Sequence, residues 1–277
     1  GRYDPATDSW SATSTAAPVP APRDSHVAVW DGVTMIVWSG RTSPGSTNTG
    51  GQYNPATNTW TATSTGANVP TARIVSVGVW TGQEMIVWGG LFQETVVYLN
   101  SGGRYNPTTN SWAPTSTGLN VPSARYEHKA VWTGSEMIVW GGENGGGGFN
   151  SGGRYNPTTD TWLPTSTGAN VPTARILHST VWTGSEMIIY GGQPGGGARY
   201  KPATDAWSAN AAGPASRQIQ TAVWSGSDMI AWGGVAGSTQ YNNGGRFVPV
   251  TNTWAASSLT AGSGAKRPRG ASRNATR

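Results

Sequence analysis

The chain has 277 residues, of which 40 are glycine, 15 are tryptophan and none is cysteine. Abundant glycine with only 11% charged residues favours tight turns and packed strands over helices, and the tryptophans supply much of a core. The lack of cysteine excludes disulfides and thiolate metal sites, and no stretch of about 18 apolar residues is present to cross a membrane.

The net charge of +5 is concentrated at the C-terminal end. Five of the 18 basic residues lie in the last twelve positions, namely Lys266, Arg267, Arg269, Arg273 and Arg277. Residues 1–265 then hold 13 basic and 13 acidic side chains, so they carry no bulk signature of nucleic-acid binding. We predict a folded domain over residues 1–258 and a disordered basic tail over residues 259–277, which lacks the apolar residues needed for a core.

From its N-terminus the chain repeats one pattern. An aromatic residue after Arg or Gln recurs with steps of 50, 52, 50, 45 and 47 residues, at Tyr3, Tyr53, Tyr105, Tyr155, Tyr200 and Phe247. A period of this size, with short alternating strands and paired glycines, indicates a radial repeat protein.

The third unit shows what one repeat predicts. Four strands are expected, over Arg125–Trp132, Met137–Trp140, Gly153–Tyr155 and from Trp162 onward. Thr133-Gly134 and Asn156–Asp160 are the turns between them, because Gly, Pro and Asn or Asp supply the backbone angles that turns require. Four antiparallel strands in each radially repeated unit form a blade of a β-propeller.

The repeated residues resemble the kelch family over about residues 1–258. Its second-strand glycine pair matches Gly89-Gly90, Gly141-Gly142, Gly191-Gly192 and Gly233-Gly234, with Ser39-Gly40 as a departure. Its spaced tryptophan matches Trp60, Trp112, Trp162, Trp207 and Trp254. Its Arg and His match Arg23/His26, Arg125/His128 and Arg175/His178, while Ser76 and Gln220 replace the His elsewhere. The resemblance implies an all-β kelch-type β-propeller, a fold that serves as enzyme, adhesin or protein-binding platform.

The count of strands predicts five complete four-stranded blades plus an extra N-terminal half-blade hairpin within Gly1–Trp10. First-and-second strand pairs occur five times, whereas third-and-fourth pairs occur six times. Two interpretations remain open, a fragment of a longer array or a small ring with a surplus hairpin. The absence of an initiator Met and of a signal peptide favours the fragment.

Because a residue present in every blade is explained by the blade, candidate sites are sought among departures from the repeat. The three histidines share one register, so we expect them to fill packing positions rather than to bind a metal. The runs Gly145–Gly148 and Gly195–Gly197 lack the Lys, Ser/Thr and helix of a phosphate loop. No nucleophile elbow and no His-Glu-x-x-His motif is present, so we assign no catalytic residue, metal or cofactor.

Five arginines precede the inner strands and are expected to surround one mouth of the central channel: Arg23, Arg73, Arg125, Arg175 and Arg217. One interpretation is that each binds backbone carbonyls between blades. The other is a positive rim that attracts carboxylates or acidic peptides.

The loops after the glycine pairs vary most and are expected at the same mouth. The second unit inserts Leu91–Leu99, from which we select Phe92, Glu94 and Tyr98 as ligand residues. Glu143 in the third unit and Tyr241 in the fifth complete the candidate set. Aromatic residues among amides and acids suit a sugar or an extended peptide. Alternatively, Phe92, Val96 and Tyr98 fold the loop onto its own blade.

The leading functional hypothesis is a non-catalytic binding or structural module, monomeric within a larger exported bacterial protein, whose ligand is a protein, peptide or glycan. Low charge and a polar surface rich in Thr, Asn and Gly favour an extracellular or cell-envelope setting. One rival is a lectin. The other is an enzyme similar to sialic-acid mutarotases, with Glu94, Glu127 and Glu143 as candidate acids or bases. Copper chemistry similar to that of galactose oxidase is disfavoured, because its tyrosine–cysteine cofactor needs a cysteine.

Overall fold

The computed structural model describes residues 1–257, and all regular elements within this range are β-strands. Twenty of these strands form five four-stranded antiparallel sheets, which we number blades 1 to 5 in chain order. The six other strands form three two-stranded hairpins.

The five blades repeat one strand order. Blade 1 contains β3 (Val27–Trp30), β4 (Met35–Trp38), β5 (Gly50–Asn54) and β6 (Thr59–Ala62). Blade 2 contains β7 (Val77–Trp80), β8 (Met85–Trp88), β11 (Gly102–Asn106) and β12 (Ser111–Pro114). Blade 3 contains β13 (Lys129–Trp132), β14 (Met137–Trp140), β15 (Gly152–Asn156) and β16 (Thr161–Pro164). Blade 4 contains β17 (Ser179–Trp182), β18 (Met187–Tyr190), β19 (Gly197–Lys201) and β20 (Ala206–Ala209). Blade 5 contains β21 (Thr221–Trp224), β22 (Met229–Trp232), β25 (Gly244–Val248) and β26 (Thr253–Ser257).

The three hairpins differ in place. Two lie inside loops, β9 (Leu91–Phe92) with β10 (Val97–Tyr98), and β23 (Val235–Ala236) with β24 (Thr239–Gln240). The third precedes blade 1 and joins β1 (Arg2–Asp4) to β2 (Ser9–Ser11). Tyr3 lies opposite Trp10 there, as Tyr53 lies opposite Trp60 in blade 1. This hairpin therefore corresponds to the third and fourth strands of a blade.

The first strands of successive blades lie side by side, in the order β3, β7, β13, β17 and β21. This places the first strands innermost and the fourth strands outermost, as in a propeller. The second strands of blades 2, 3 and 4 are buried along their whole length. Burial on both faces explains why their sequences are continuously apolar instead of alternating.

Successive blades pack through apolar seams, of which the seam between blades 3 and 4 is typical. Ile138 and Trp140 of blade 3 pack against Met187 and Trp207 of blade 4, with the two indole centroids 5.2 Å apart. Because neighbouring strand residues point to opposite faces, each blade presents one face to the blade before it and one to the blade after it. Equivalent clusters fill the seams between blades 1 and 2, 2 and 3, and 4 and 5.

Hydrogen bonds between polar groups of the repeat hold the segment that connects successive blades. In blade 3 the Asp160 carboxylate accepts hydrogen bonds from Tyr155 Oη at 2.5 Å and from Ser116 N at 2.8 Å. Trp162 Nε1 donates to Ser116 O at 3.0 Å. Asp160 has a φ of 52°, which Asp and Asn tolerate better than most residues. The spaced Tyr, Asx and Trp of each repeat are therefore structural.

The structure confirms the predicted all-β architecture, with five complete blades and an N-terminal half-blade hairpin. The repeated turn acids are also structural, since Glu136 lies 3.9 Å from Arg154 and Glu186 lies 3.8 Å from Arg199. The predicted tail over residues 259–277 lies outside the described residues, so its boundary stays a prediction.

Candidate functional site

The variable loops all lie at one end of the blades. Antiparallel pairing places Lys129, at the start of β13, opposite Trp140, at the end of β14, and Gly152 opposite Trp140 from the other side. The short turns at 133–136 and 157–160 are at the opposite end. We call the end that carries residues 41–49, 91–101, 143–151, 193–196 and 235–243 the loop face.

The glycine pairs of blades 2, 3 and 4 close the seams to the following blades on the loop face. Gly141 and Gly142 have φ values of 73° and 86°, a region that favours glycine. A Cβ atom on Gly141 would lie 2.7 Å from Cε1 of His178, the buried histidine of blade 4. Gly142 N donates to Arg175 O at 2.9 Å. The pair is thus required by the close approach of the next blade.

Four of the five candidate arginines are buried, namely Arg73, Arg125, Arg175 and Arg217. Arg125 is typical: its Nη1 donates to Gly141 O at 3.0 Å and to Ser151 O at 2.7 Å, and its Nε donates to Ser123 O at 2.9 Å. Burial lowers the pKa of Arg125 to about 10, so the guanidinium stays charged at neutral pH. These contacts fit the carbonyl-binding interpretation, although the carbonyls belong to the arginine's own blade. A direct ligand role for the arginines stays a prediction.

Aromatic side chains of the loops cover two of these arginines. The Phe149 ring centroid lies 4.2 Å from Arg125 Cζ, and the Tyr241 ring centroid lies 4.2 Å from Arg217 Cζ. Stacking of a cation on an aromatic face is favourable and holds both loops against their blades. Tyr241, a predicted ligand residue, is therefore also a loop anchor.

Arg23 differs from the other four because it is only half-buried and lines an open groove. Its Nη1 donates to Ser39 O at 2.9 Å and to Thr49 O at 2.7 Å. The groove, of about 570 Å³, also contains the exposed ion pair between Arg41 and Asp24, with 3.0 Å between nitrogen and oxygen. Exposed pairs of this kind contribute little stability.

The inserted hairpin β9–β10 rests on the loop of blade 1. Gln93 N donates to Ser46 Oγ at 3.0 Å, and the Glu94 carboxylate accepts a hydrogen bond from Ser46 N. The approach is possible because the neighbouring residue is Gly45, whose Cβ would collide with Glu94. Phe92, half-buried, pairs with Val97 across the hairpin. Glu94 and Phe92 therefore position this loop.

Tyr98 and Glu143 are brought together by a residue that the sequence analysis did not select, Tyr126. The Tyr98 and Tyr126 rings are 5.5 Å apart, and Tyr126 Oη donates to Glu143 Oε1 at 2.7 Å. This hydrogen bond is the main cause that raises the pKa of the Tyr126 hydroxyl. A backbone hydrogen bond from Arg125 N to Leu99 O, at 3.2 Å, joins the loop of blade 2 to the segment that leads into β13. We call Tyr98, Tyr126, Glu127 and Glu143 the mouth cluster.

Glu127 belongs to a ring of residues with left-handed backbone at the start of the inner strands. The equivalent positions are Ser25, Val75, Leu177 and Ile219, and all five φ values lie between 51° and 59°. Val75 N donates to Ser25 O, and Ile219 N donates to Leu177 O, both at 3.1 Å, so ring members from neighbouring blades are in contact. Glu127 is the only charged member.

The electrostatics of the mouth cluster are set by two carboxylates and one lysine. Burial, aided by the charge of Glu143, raises the pKa of Glu127, and nearby Lys129 opposes this shift. Loss of water lowers the pKa of Lys129, and Glu127 opposes that shift in turn. A half-buried carboxylate without a paired cation would gain from a positive group placed beside it.

One signal for Tyr126 was present in the sequence. At the two positions after the repeated Arg, the other blades have Asp-Ser, Ile-Val, Ile-Leu and Gln-Ile, and only blade 3 has Tyr-Glu. This departure lies in the strand entry rather than in a variable loop.

Two of the three histidines fill packing positions as predicted, because His128 and His178 are buried against Gly89 and Gly141. The prediction was wrong for His26, which is exposed because no complete blade precedes blade 1. Burial lowers the pKa of His178 to about 3, so it is neutral.

Within residues 1–257 no group of three or more His, Cys, Asp or Glu side chains could hold a metal ion. The same part of the chain contains no helix long and apolar enough to cross a bilayer.

A comparison with protein families identifies the repeats. The family described as the KLHDC2/KLHL20/DRC7 Kelch-repeats domain matches residues 75–210, a segment that covers blades 2, 3 and 4. A search of curated proteins gave no match.

Proposed function

Because this chain is a kelch-repeat protein, we propose that it is a non-catalytic binding module whose ligand lies on the loop face, at the mouth cluster. Kelch domains generally mediate protein binding. The observation that carries the proposal is the contact of Tyr98 with Tyr126 and of Tyr126 with Glu143, which joins the loops of blades 2 and 3 through side chains that the repeat does not require.

The chemistry of the cluster favours a positively charged ligand group. Glu127 and Glu143 form no salt bridge with a basic residue of the described chain, and the buried arginines are already bonded to carbonyls. The sequence alone suggested acidic ligands for an arginine rim, whereas the mouth cluster itself carries the two carboxylates of Glu127 and Glu143 and has one lysine, Lys129, beside it. We therefore propose a protein or peptide segment that brings a Lys or Arg side chain to Glu127 and packs its stem on Tyr98.

The experiment is a selection of displayed random peptides against the 277-residue protein, followed by titration of the enriched peptides. We expect enrichment of Lys or Arg next to an apolar residue. Glu127→Gln and Tyr98→Ala should each weaken binding about tenfold or more, which corresponds to roughly 1.4 kcal/mol. Affinity should fall as the pH is lowered through the raised pKa of Glu127, because the protonated carboxyl no longer attracts a cation.

Two matched variants serve as controls. Glu186→Gln removes a carboxylate at the opposite end of blade 4, and Tyr3→Ala removes an exposed tyrosine of the N-terminal hairpin. Both should leave affinity unchanged. Enrichment of acidic peptides whose binding depends on Arg23, or equal losses in the control variants, would contradict the proposal.

A sugar-acting enzyme is the second candidate, favoured by the position of Glu127 beside Glu143, where burial and the neighbouring charge raise the pKa of Glu127, as is common for catalytic carboxyls. It ranks second because four of the five arginines that would hold a sugar carboxylate are buried. Anomer exchange of free N-acetylneuraminate, followed by NMR, separates this activity from binding alone. A glycan array separates a lectin from a peptide-binding module.

The cellular setting we propose is extracellular or in the cell envelope, as part of a larger exported bacterial protein. Its support is compositional, namely few charges and many Thr, Asn and Gly residues. Protease protection of the protein in intact and in lysed cells tests this setting.

A further inference from the structure

The loop of blade 3 carries an asparagine directly before a run of four glycines. Glu143 and Gly148 pair as an isolated antiparallel bridge, so residues 144–147 form the tip of this loop. Asn144 is half-buried, and the four glycines are exposed. Gly145 and Gly147 have φ values of 78° and 133°, in a region that glycine adopts without steric cost. The tip therefore combines an accessible side-chain amide with an unhindered backbone.

The Asn144 side chain and the Gly145 backbone nitrogen are placed for an intramolecular reaction. Gly146 N donates to Asn144 Oδ1 at 3.2 Å, which folds the carboxamide back over the peptide bond that follows it and polarises its carbonyl group. Gly145 N would be the nucleophile, and it donates no hydrogen bond to any group within residues 1–257. Because Gly145 has no side chain, its nitrogen is not shielded from the carboxamide carbon, Cγ.

We propose that Asn144 is a site of spontaneous deamidation. A bond forms between Gly145 N and Asn144 Cγ, the bond from Cγ to Nδ2 breaks, and ammonia leaves with the proton from Gly145 N. The product is a five-membered succinimide ring. Water opens this ring at either carbonyl group, which leaves aspartate or isoaspartate at position 144. One water molecule is consumed and one ammonia molecule is released, and neither an oxidant nor a cofactor takes part.

The chain contains a second Asn-Gly pair, Asn243-Gly244, which serves as an internal control. Asn243 O accepts hydrogen bonds from Gly233 N at 3.0 Å and from Arg217 Nη1 at 2.9 Å. Gly244 is buried in β25, where a Cβ atom would collide with Ala231 O. The backbone of this pair is held on both sides and cannot turn to bring Gly244 N onto the side chain. We therefore expect the fold to protect Asn243 and to leave Asn144 reactive.

Deamidation at this position adds a negative charge to the mouth cluster. Asn144 directly follows Glu143, and a Cβ atom on Gly145 would lie 2.5 Å from Tyr98 Oη, so the site adjoins two members of the cluster. A third carboxylate beside Glu143 and Glu127 strengthens the attraction for a cationic ligand. This effect on binding rests on the proposed function, whereas the modification itself does not.

The test is incubation of the 277-residue protein at physiological temperature, in buffer and in urea, followed by tryptic digestion and mass spectrometry. The fragments 130–154 and 218–246 each contain one Asn-Gly pair. In buffer, the mass gain of about 1 Da should appear at Asn144 about tenfold faster or more than at Asn243, together with isoaspartate that a protein isoaspartyl methyltransferase labels. In urea the two rates should become similar, because the fold no longer protects Asn243.

Two variants complete the test. Asn144→Gln keeps an amide but would need a less favourable six-membered ring, so the mass gain in fragment 130–154 should be lost. Equal rates at Asn144 and Asn243 in buffer, reaction of Asn144 in urea alone, or a mass gain that persists in Asn144→Gln would overturn the proposal. Asn144→Asp reproduces the added charge and should bind an enriched cationic peptide about twofold or more tightly at low salt than Asn144→Gln does. Equal affinities of these two variants would overturn the effect on binding, while the mass gain decides the modification independently.

Discussion

The seams between blades and the mouth cluster both contain packed aromatic side chains, but these side chains have different roles in the two regions. At the seams the contacts recur: Trp88 packs on Trp162 with centroids 5.2 Å apart, and Trp140 packs on Trp207 at the same distance. In the mouth cluster, Tyr98, Tyr126 and Glu143 meet at one place in the described chain. Recurrence in register therefore marks a residue that each blade needs to fold. Departure from register marks a residue that the repeat itself does not require, and we propose that the ligand binds among such residues.

Buried arginine shows why exposure must be added to this comparison. Arg125 and Arg23 occupy the same register, but Arg125 is buried beneath Phe149, whereas Arg23 is half-buried beside an open groove. A repeated position can thus be structural in one blade and accessible in another. The seams and the loop face are best separated by measuring stability and binding on the same variants.

The largest expected effect is at a seam glycine. Gly141→Val should lower the free energy of unfolding by about 3 kcal/mol or more, because the side chain meets His178 and φ is positive. Gly147→Val is the control, since Gly147 also has a positive φ but has no neighbour within 4 Å, and it should cost about 1 kcal/mol. Chemical denaturation measures both. Equal losses of unfolding free energy in the two variants would show that glycine is required at position 141 by its positive φ and not by the close approach of the next blade.

The next effect concerns the buried arginines. Arg125→Ala should lower the free energy of unfolding by about 2–4 kcal/mol, because the carbonyls of Gly141 and Ser151 lose their donor inside the blade. Arg41→Ala, which breaks an exposed ion pair, should change it by less than about 1 kcal/mol. If Arg125→Ala left the melting temperature unchanged, Arg125 would not be a structural residue and would again be a candidate for ligand binding.

The sequence was sufficient to predict the fold, because the Tyr and the Trp report contacts that recur from blade to blade, and the Gly-Gly pair reports the close approach of the next blade at three seams. It was less informative about the candidate site for a physical reason. Burial of a side chain depends on the loop that folds over it, and Phe149 over Arg125 is a contact between residues with no fixed spacing. Tyr126 was missed because it lies in a strand entry, while variation was sought in the loops. Tyr98 and Glu143, selected from variable loops, both contact Tyr126 in the structure.

A smaller effect is expected within the mouth cluster. Tyr98→Ala should lower the free energy of unfolding by less than about 1 kcal/mol, because the ring is half-buried in a loop. A double-mutant cycle with Tyr126→Ala should give a coupling of about 0.5–1 kcal/mol for the aromatic pair. Thermal denaturation of the four proteins provides the cycle. A loss comparable to that of Gly141→Val would mean that the cluster is part of the scaffold.

The smallest effect is a pH dependence. Burial and the charge of Glu143 raise the pKa of Glu127 above its ordinary value of 4.5, so the folded protein binds this proton more tightly than the unfolded chain does. Stability contributed by protonated Glu127 is therefore lost as the pH rises from about 4.5 through the folded-state pKa. In Glu127→Gln the free energy of unfolding, measured by urea titration at several pH values, should decline less over this pH range. An identical profile in the variant would show that Glu127 titrates as an exposed group.

The central claim, that the ligand binds where blades 2 and 3 depart from the repeat, is tested most directly by hydrogen exchange of the protein with and without a selected peptide. We predict protection in residues 91–99, 125–129 and 143–149, with no change in the repeated turns at 133–136 and 156–160. Protection confined to those turns would contradict the claim, because the ligand would then bind the regular end of the blades.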